Sequence, residues 1–188
     1  MTDPYITCPT FESDSYLLRL AGPADTLDLL TVYSDEKAVP LFNSDNCHGD
    51  DFHYTTLERM QGAMDFWTEA YREKWFVRWT IIEKKTQKAV GTIELFNRQA
   101  KDYFNDCGLL RLDLRSDHEH EEGILEILSL IVPPAYDLFH CQMIATKVIP
   151  SAARRKEAVE RLGFKSTGEA LIGHDGTRYF DYYVRTKR

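Results

Sequence analysis

The sequence lacks most of the features that announce a protein class outright. Its four cysteines, Cys8, Cys47, Cys107 and Cys141, are widely and irregularly spaced, with no Cys-x-x-Cys pair. That argues against a zinc site or a redox dithiol, and they read as reduced thiols of a cytosolic protein. There is no basic stripe: 23 Lys and Arg stand against 30 Asp and Glu, a net charge of −7. Nucleic acid, which needs clustered positive charge, is therefore not an expected partner. No apolar run is long enough to cross a bilayer, and the longest, Ile127 to Ala135, holds Ser129 and two prolines. The opening Met1-Thr2-Asp3-Pro4 has neither the basic nor the apolar region of a secretory leader. Together these predict a cytoplasmic protein with no membrane partner. Repeats, a hydrolase nucleophile elbow, a Walker loop and a Rossmann fingerprint are all missing.

What is present is an ordinary globular composition, 43% apolar and 28% charged. A length of 188 residues suits one domain spanning 1–188. An acidic surface would tolerate a cationic substrate such as an amine, although solubility alone also explains it.

Along the chain, Tyr16 to Leu20 reads as a short strand stopped by Gly22-Pro23. Pro23, Asp25 and the stripe Leu27, Leu30, Tyr33 predict a helix over 23–34. Thr55 and Glu58 fit a capping box, and Leu57, Met60, Met64, Trp67 and Tyr71 predict a helix over 55–73. Phe76 to Lys84, Ala89 to Asn97 and Gly108 to Arg115 read as three strands. Ile124, Ile127, Leu128 and Ile131 form a helical stripe that Pro133-Pro134 should kink or end. Met143 to Ile149 reads as a strand, and Ala152 to Leu162 as a helix ended by Gly163. Strands at 168–172 and 178–186 flank a turn at Asp175-Gly176. The fold class is α/β, a mixed sheet of about six to seven strands with helices on both faces.

This order resembles the GNAT superfamily of N-acetyltransferases, nearest its ribosomal-protein and aminoglycoside acetyltransferase branch. The residues that carry the likeness are the hairpin from Trp79-Thr80-Ile81-Ile82 to Val90-Gly91-Thr92-Ile93, the strand from Gly108, and Glu160-Arg161-Leu162-Gly163-Phe164. The likeness covers most of residues 15 to 185. It implies transfer of an acetyl group from acetyl-CoA to a primary amine of a small molecule or protein N-terminus, with room for a homodimer. It also implies that Gly108–Arg115 and Met143–Ile149 run parallel, as the helical crossover requires, and part at one end to open a cofactor cleft.

In such enzymes the acetyl-CoA pyrophosphate rests on backbone amides of a glycine-rich loop at a helix N-terminus, where free N–H groups and the helix dipole favour an anion. The matching residues here are His118-Glu119-His120-Glu121-Glu122-Gly123, and of these only Gly123 fits. The resemblance assigns cofactor contact to Leu114, Arg115, Gly123, Ile124, Arg154 and Arg155. It offers Glu94 and Asp113 as bases for the attacking amine, for which burial can supply a suitable pKa. Both carboxylates also have a plain reading as salt bridges, for instance Asp113 with Arg111 or Arg115. The usual general-acid tyrosine falls on Val159, and the usual CoA-contacting asparagine near Ala152. The acidic loop reads mainly as a helix start capped by Ser116 or Asp117, with Glu119, Glu121 and Glu122 complementing the dipole; a metal site on His118-x-His120 is the lesser alternative, and no metal is expected. Trp67, Tyr71, Trp75 and Trp79 either line an acceptor pocket or pack in the core. Three carboxylates at the helix start predict weak acetyl-CoA binding, or a non-catalytic module on the same fold.

Overall fold

The computed structural model describes residues 3–187. Its strands are β1 (Phe11–Glu12), β2 (Tyr16–Leu20), β3 (Val77–Glu83), β4 (Lys88–Arg98), β5 (Cys107–Leu114), β6 (Met143–Lys147), β7 (Lys165–Ser166), β8 (Leu171–Ile172), β9 (Arg178–Tyr179) and β10 (Tyr182–Thr186). Its α-helices are α1 (Thr26–Tyr33), α2 (Leu57–Arg72), α3 (Glu121–Leu138) and α4 (Ala153–Arg161). Eight strands form one mixed sheet in the order β1-β2-β3-β4-β5-β6-β10-β7, and β8 and β9 form a separate hairpin. Every pairing in the large sheet is antiparallel except β5 with β6, which α3 joins as a parallel crossover.

Two apolar layers sandwich the sheet. On one face the stripe Ile124, Ile127, Leu128 and Ile131 of α3 packs on Trp79, Ile93, Leu110 and Leu112. Each such side chain contributes roughly 1.5–3 kcal/mol on full burial. The other face is covered by α1 and α2 through Leu29, Val32, Met60, Met64 and Trp67.

Several local expectations need correction. The apolar face of α1 is Leu29, Val32 and Tyr33, whereas Leu27 is exposed. The helix is rotated because the Tyr33 hydroxyl is drawn inward to Thr92 and Asp113, at 2.7 and 2.8 Å. Helix α2 is capped by Thr56, not Thr55: its hydroxyl accepts from the Arg59 amide at 3.2 Å. Helix α3 does not end at Pro133-Pro134 but continues to Leu138. Both prolines lie on its outer side with Ser129 and Leu130, so the carbonyls they leave without an amide are on the face open to water. The final hairpin splits: β8 and β9 pair apart from the sheet, and Asp181, at φ 68°, turns the chain back so that only β10 joins it.

Gly91 is fixed by close approach. A Cβ there would lie 2.2 Å from the Asp113 carbonyl oxygen, so β4 can cross β5 at this point only without a side chain.

Candidate functional site

Strands β5 and β6 pair from Cys107↔Met143 to Leu110↔Thr146 and then part. Beyond that point β5 pairs only with β4, from Arg111↔Glu94 to Leu114↔Gly91. The expected parting is there, but the expected open cleft is not. The guanidinium of Arg155, in the first turn of α4, sits in the gap. Its Nη1 donates to the carbonyls of Leu112 at 2.8 Å and Leu41 at 2.9 Å, and its other edge pairs with both oxygens of Glu119. Arg155 is 3% exposed. One side chain thus ties β5, the connection between α1 and α2, and the turn before α3.

The α1–α2 connection straps the same region. Asp35 accepts from the Ser116 amide at 2.8 Å. Asp45 pairs with Lys147 of β6 at 2.7 and 2.8 Å and accepts from the Tyr182 hydroxyl at 3.0 Å. The Asp45 carbonyl accepts from Arg111 at 2.9 Å.

The turn before α3 is capped neither by Ser116 nor by Asp117. His120 is the N-cap, and its Nδ1 accepts from the Gly123 amide at 3.0 Å. Gly123 is needed because a Cβ there would lie 2.4 Å from the His120 ring and 2.9 Å from the Tyr16 hydroxyl. Asp117 instead holds Arg115, at 2.7 and 3.0 Å. Glu121 and Glu122 both pair with Arg161 of α4, at 2.6 and 2.7 Å. His118 is tucked against Arg115, and burial lowers its pKa from the ordinary value. Of the six residues assigned to the cofactor, Leu114 and Ile124 are buried in the core, Gly123 lies under His120, Arg115 is held by Asp117, Arg154 is exposed and Arg155 fills the gap. Among the described residues, no group of three His, Cys, Asp or Glu is placed to hold a metal ion.

These residues do not fit acetyl-CoA. A pyrophosphate at this helix start needs free amides and positive potential. The Gly123 amide is used by an imidazole, the first turn carries Glu121 and Glu122, and the gap beside Leu112 is filled.

Glu94 and Asp113 lie on the opposite face, inside a buried charge cluster set by strand register. The lateral rows are Arg78–Glu94–Arg111 and Thr80–Thr92–Asp113, all three members of each row facing α1 and α2. Glu94 pairs with Arg78 and with Arg111, the latter at 2.6 Å. Burial would raise its pKa, but the two guanidiniums outweigh burial and hold it below the ordinary value. Asp113 is paired with neither Arg111 nor Arg115. It accepts from Arg78 at 3.1 Å and Tyr33 at 2.8 Å, and burial raises its pKa above the ordinary value. Arg78 is not among the sequence candidates, and Tyr33 figures there only in the stripe of its helix. The signal for Arg78 was a charge inside an otherwise apolar and β-branched strand.

Over this cluster opens a pocket of about 590 Å³. Trp67 and Trp75 line it with Tyr54 and Phe76, and Arg78 and Arg111 are also in its lining. Trp79 is core instead, its indole N–H donating to the Pro9 carbonyl at 2.8 Å, and Tyr71 donates to the Pro4 carbonyl at 3.0 Å. A second basin of about 420 Å³ adjoins the pocket across Asn46, Phe96 and Arg111.

This mixed sheet with one parallel pair and a helical crossover is the fold of the GNAT acetyltransferases. Among solved structures, the chain is similar to the ribosomal-protein-S5-alanine acetyltransferase of Vibrio fischeri, at TM-score 0.70 and 17% identity over 95% of this chain and 96% of that one. It is similar also to a GNAT-family acetyltransferase of Bacillus anthracis (TM-score 0.69, 11% identity, 95% and 98% covered) and an acetyltransferase of Agrobacterium tumefaciens (0.65, 16%, 96% and 96%). No family model and no curated protein matches the sequence. At these identities the likeness is one of fold.

Proposed function

We propose that this chain is a ligand-binding module on the acetyltransferase fold, with the acetyl-CoA slot closed by its own side chains and the aromatic pocket over the Arg78–Glu94–Arg111 cluster as its working site. The observation that carries this reading is Arg155, bonded to the Leu112 carbonyl where the parallel strands part and locked there by Glu119. Breaking a buried ion pair by freeing one partner costs roughly 3–5 kcal/mol, which corresponds to about a hundredfold or more in affinity for any cofactor that must displace it. Four unpaired cysteines suit a reducing, cytoplasmic setting.

A second reading is transfer of an acetyl group from acetyl-CoA to a primary amine, the structural relatives being named as acetyltransferases. Asp113 favours it, being a buried carboxylate with a raised pKa at the level where the strands part, and Glu94 is its neighbour. The discriminating experiment is release of free CoA thiol from acetyl-CoA in the presence of a panel of amines and N-terminal peptides. The binding-module reading expects no release above the protein-free rate. Amine-dependent release that is lost in Asp113→Asn would establish the second reading instead.

A further inference from the structure

We propose that the aromatic pocket takes a small aromatic carboxylic acid, and that it rejects cationic amines although the protein as a whole is acidic. The proposal rests on the binding-module reading and names the module's ligand.

The volume, about 590 Å³, is that of a small-molecule site. Its lining includes the rings of Phe52, Tyr54, Trp67 and Phe76, and Phe66 and Trp75 stand at the edge, 52% and 55% exposed, with ring centroids 6.0 Å apart. Such a surface suits a ring.

Charge selects among ring-bearing ligands. Three guanidiniums belong to the lining, those of Arg59, Arg78 and Arg111. Asp50 is the carboxylate of the lining, and Glu94 and Asp113, outside it, are engaged except for Asp113 Oδ1, which is buried without a partner. Asp50 pairs with Arg59 at 2.5 Å and accepts from the Tyr54 hydroxyl at 3.0 Å; Glu94 is shared by Arg78 and Arg111; Asp113 is held by Arg78 and Tyr33. Two of the aromatic rings that could receive an ammonium already carry the protein's own guanidiniums. Arg59 lies 4.3 Å from the Tyr54 centroid and Arg78 4.2 Å from that of Trp67. A cationic amine would meet three like charges in the lining against a single carboxylate, Asp50, already held by Arg59.

An anion meets the opposite situation. Arg59, Arg78 and Arg111 all line the pocket, so a carboxylate there meets three guanidiniums. Guanidinium geometry is matched to a carboxylate. Phe96, whose ring lies 5.5 Å from the Arg111 guanidinium carbon, offers one more face for the ligand's ring.

The test is titration with two probes of matched size, 3-phenylpropanoate and phenethylamine, followed by tryptophan fluorescence and thermal shift. The acid should bind about tenfold or more tightly than the amine, as hydrogen bonds to charged groups allow. Trp75→Ala, at an exposed position where folding is not at risk, should weaken the acid about tenfold, the size of an aromatic contact. Arg111→Met should abolish the preference for the acid over its neutral amide; if that variant does not fold, Trp75→Ala and the acid–amine comparison decide. Equal or tighter binding of the amine, or no binding of the acid at millimolar concentration, would overturn the proposal. Acid binding together with acetyl-CoA turnover would keep the pocket assignment and remove the binding-module reading. Absence of both would remove the pocket assignment alone.

Discussion

Arg155 of α4 donates to the carbonyl of Leu112 on β5 at 2.8 Å, so one side chain of the last helix occupies the seam where the two parallel strands part. Glu119 holds it there, and only 9% of that carboxylate side chain is exposed. Arg155→Ala should therefore destabilise the fold by roughly 3–5 kcal/mol, because a buried carboxylate loses its partner. The double variant Arg155→Met/Glu119→Gln should recover most of that loss. Urea denaturation measures both. Equal losses in the two variants would mean that the ion pair is not what holds the seam.

The Arg78–Glu94–Arg111–Asp113 cluster predicts opposite pH slopes from its two carboxylates. The Glu94 pKa is lowered on folding, so its contribution is fully present above its ordinary pKa and is lost as pH falls through the folded value. The Asp113 pKa is raised, so its contribution falls as pH rises from its ordinary value through the raised one. Glu94→Gln should cost roughly 3–5 kcal/mol at pH 7, leaving two buried guanidiniums short of charge. Asp113→Asn should cost far less, and should flatten the decline in stability on the alkaline side of the ordinary Asp range. Denaturation midpoints measured from acid to neutral pH read both slopes.

His120 caps α3 through a bond to the Gly123 amide. His120→Ala should cost about 1 kcal/mol, and His120→Ser should restore most of it, since serine is a favoured cap. In a domain of this size that is a shift of roughly 2–4 °C in Tm. Equal melting of wild type and His120→Ala would deny the cap.

Gly91→Ala forces a Cβ to within 2.2 Å of a backbone oxygen on the neighbouring strand. Neither backbone can yield without breaking the β4–β5 ladder, so the cost should exceed the roughly 1–3 kcal/mol typical of overpacking. Gly62→Ala on α2, where nothing lies within 4 Å, is the control and should be neutral or stabilising. Comparable stability of the two variants would contradict the described register.

The topology was legible because its signals are local and periodic. The stripe Ile124, Ile127, Leu128, Ile131 and the β-rich runs from Phe76 and Ala89 each point to one element, and their order leaves few folds. The helix running through Pro133-Pro134 was not legible, because the breaking rule does not say which face a proline occupies, and here that is the outer one. The site was half legible. The departures from the family loop, His118 to Gly123, could be read directly. What replaces the loop's chemistry is a set of long-range pairings, Arg155 with Glu119, Arg161 with Glu121, and Arg78 with Glu94. No spacing rule predicts contacts between residues 36, 40 or 16 positions apart.

The closed slot is the central claim, and calorimetric titration with acetyl-CoA tests it most directly. The unmodified protein should show no binding tighter than about millimolar, since the ligand must break a buried ion pair and approach Glu121 and Glu122 at the helix start. Arg155→Ser/Glu119→Gln, which empties the seam, should gain at least about tenfold in affinity. Low-micromolar binding by the unmodified protein, unchanged in that variant, would contradict the account.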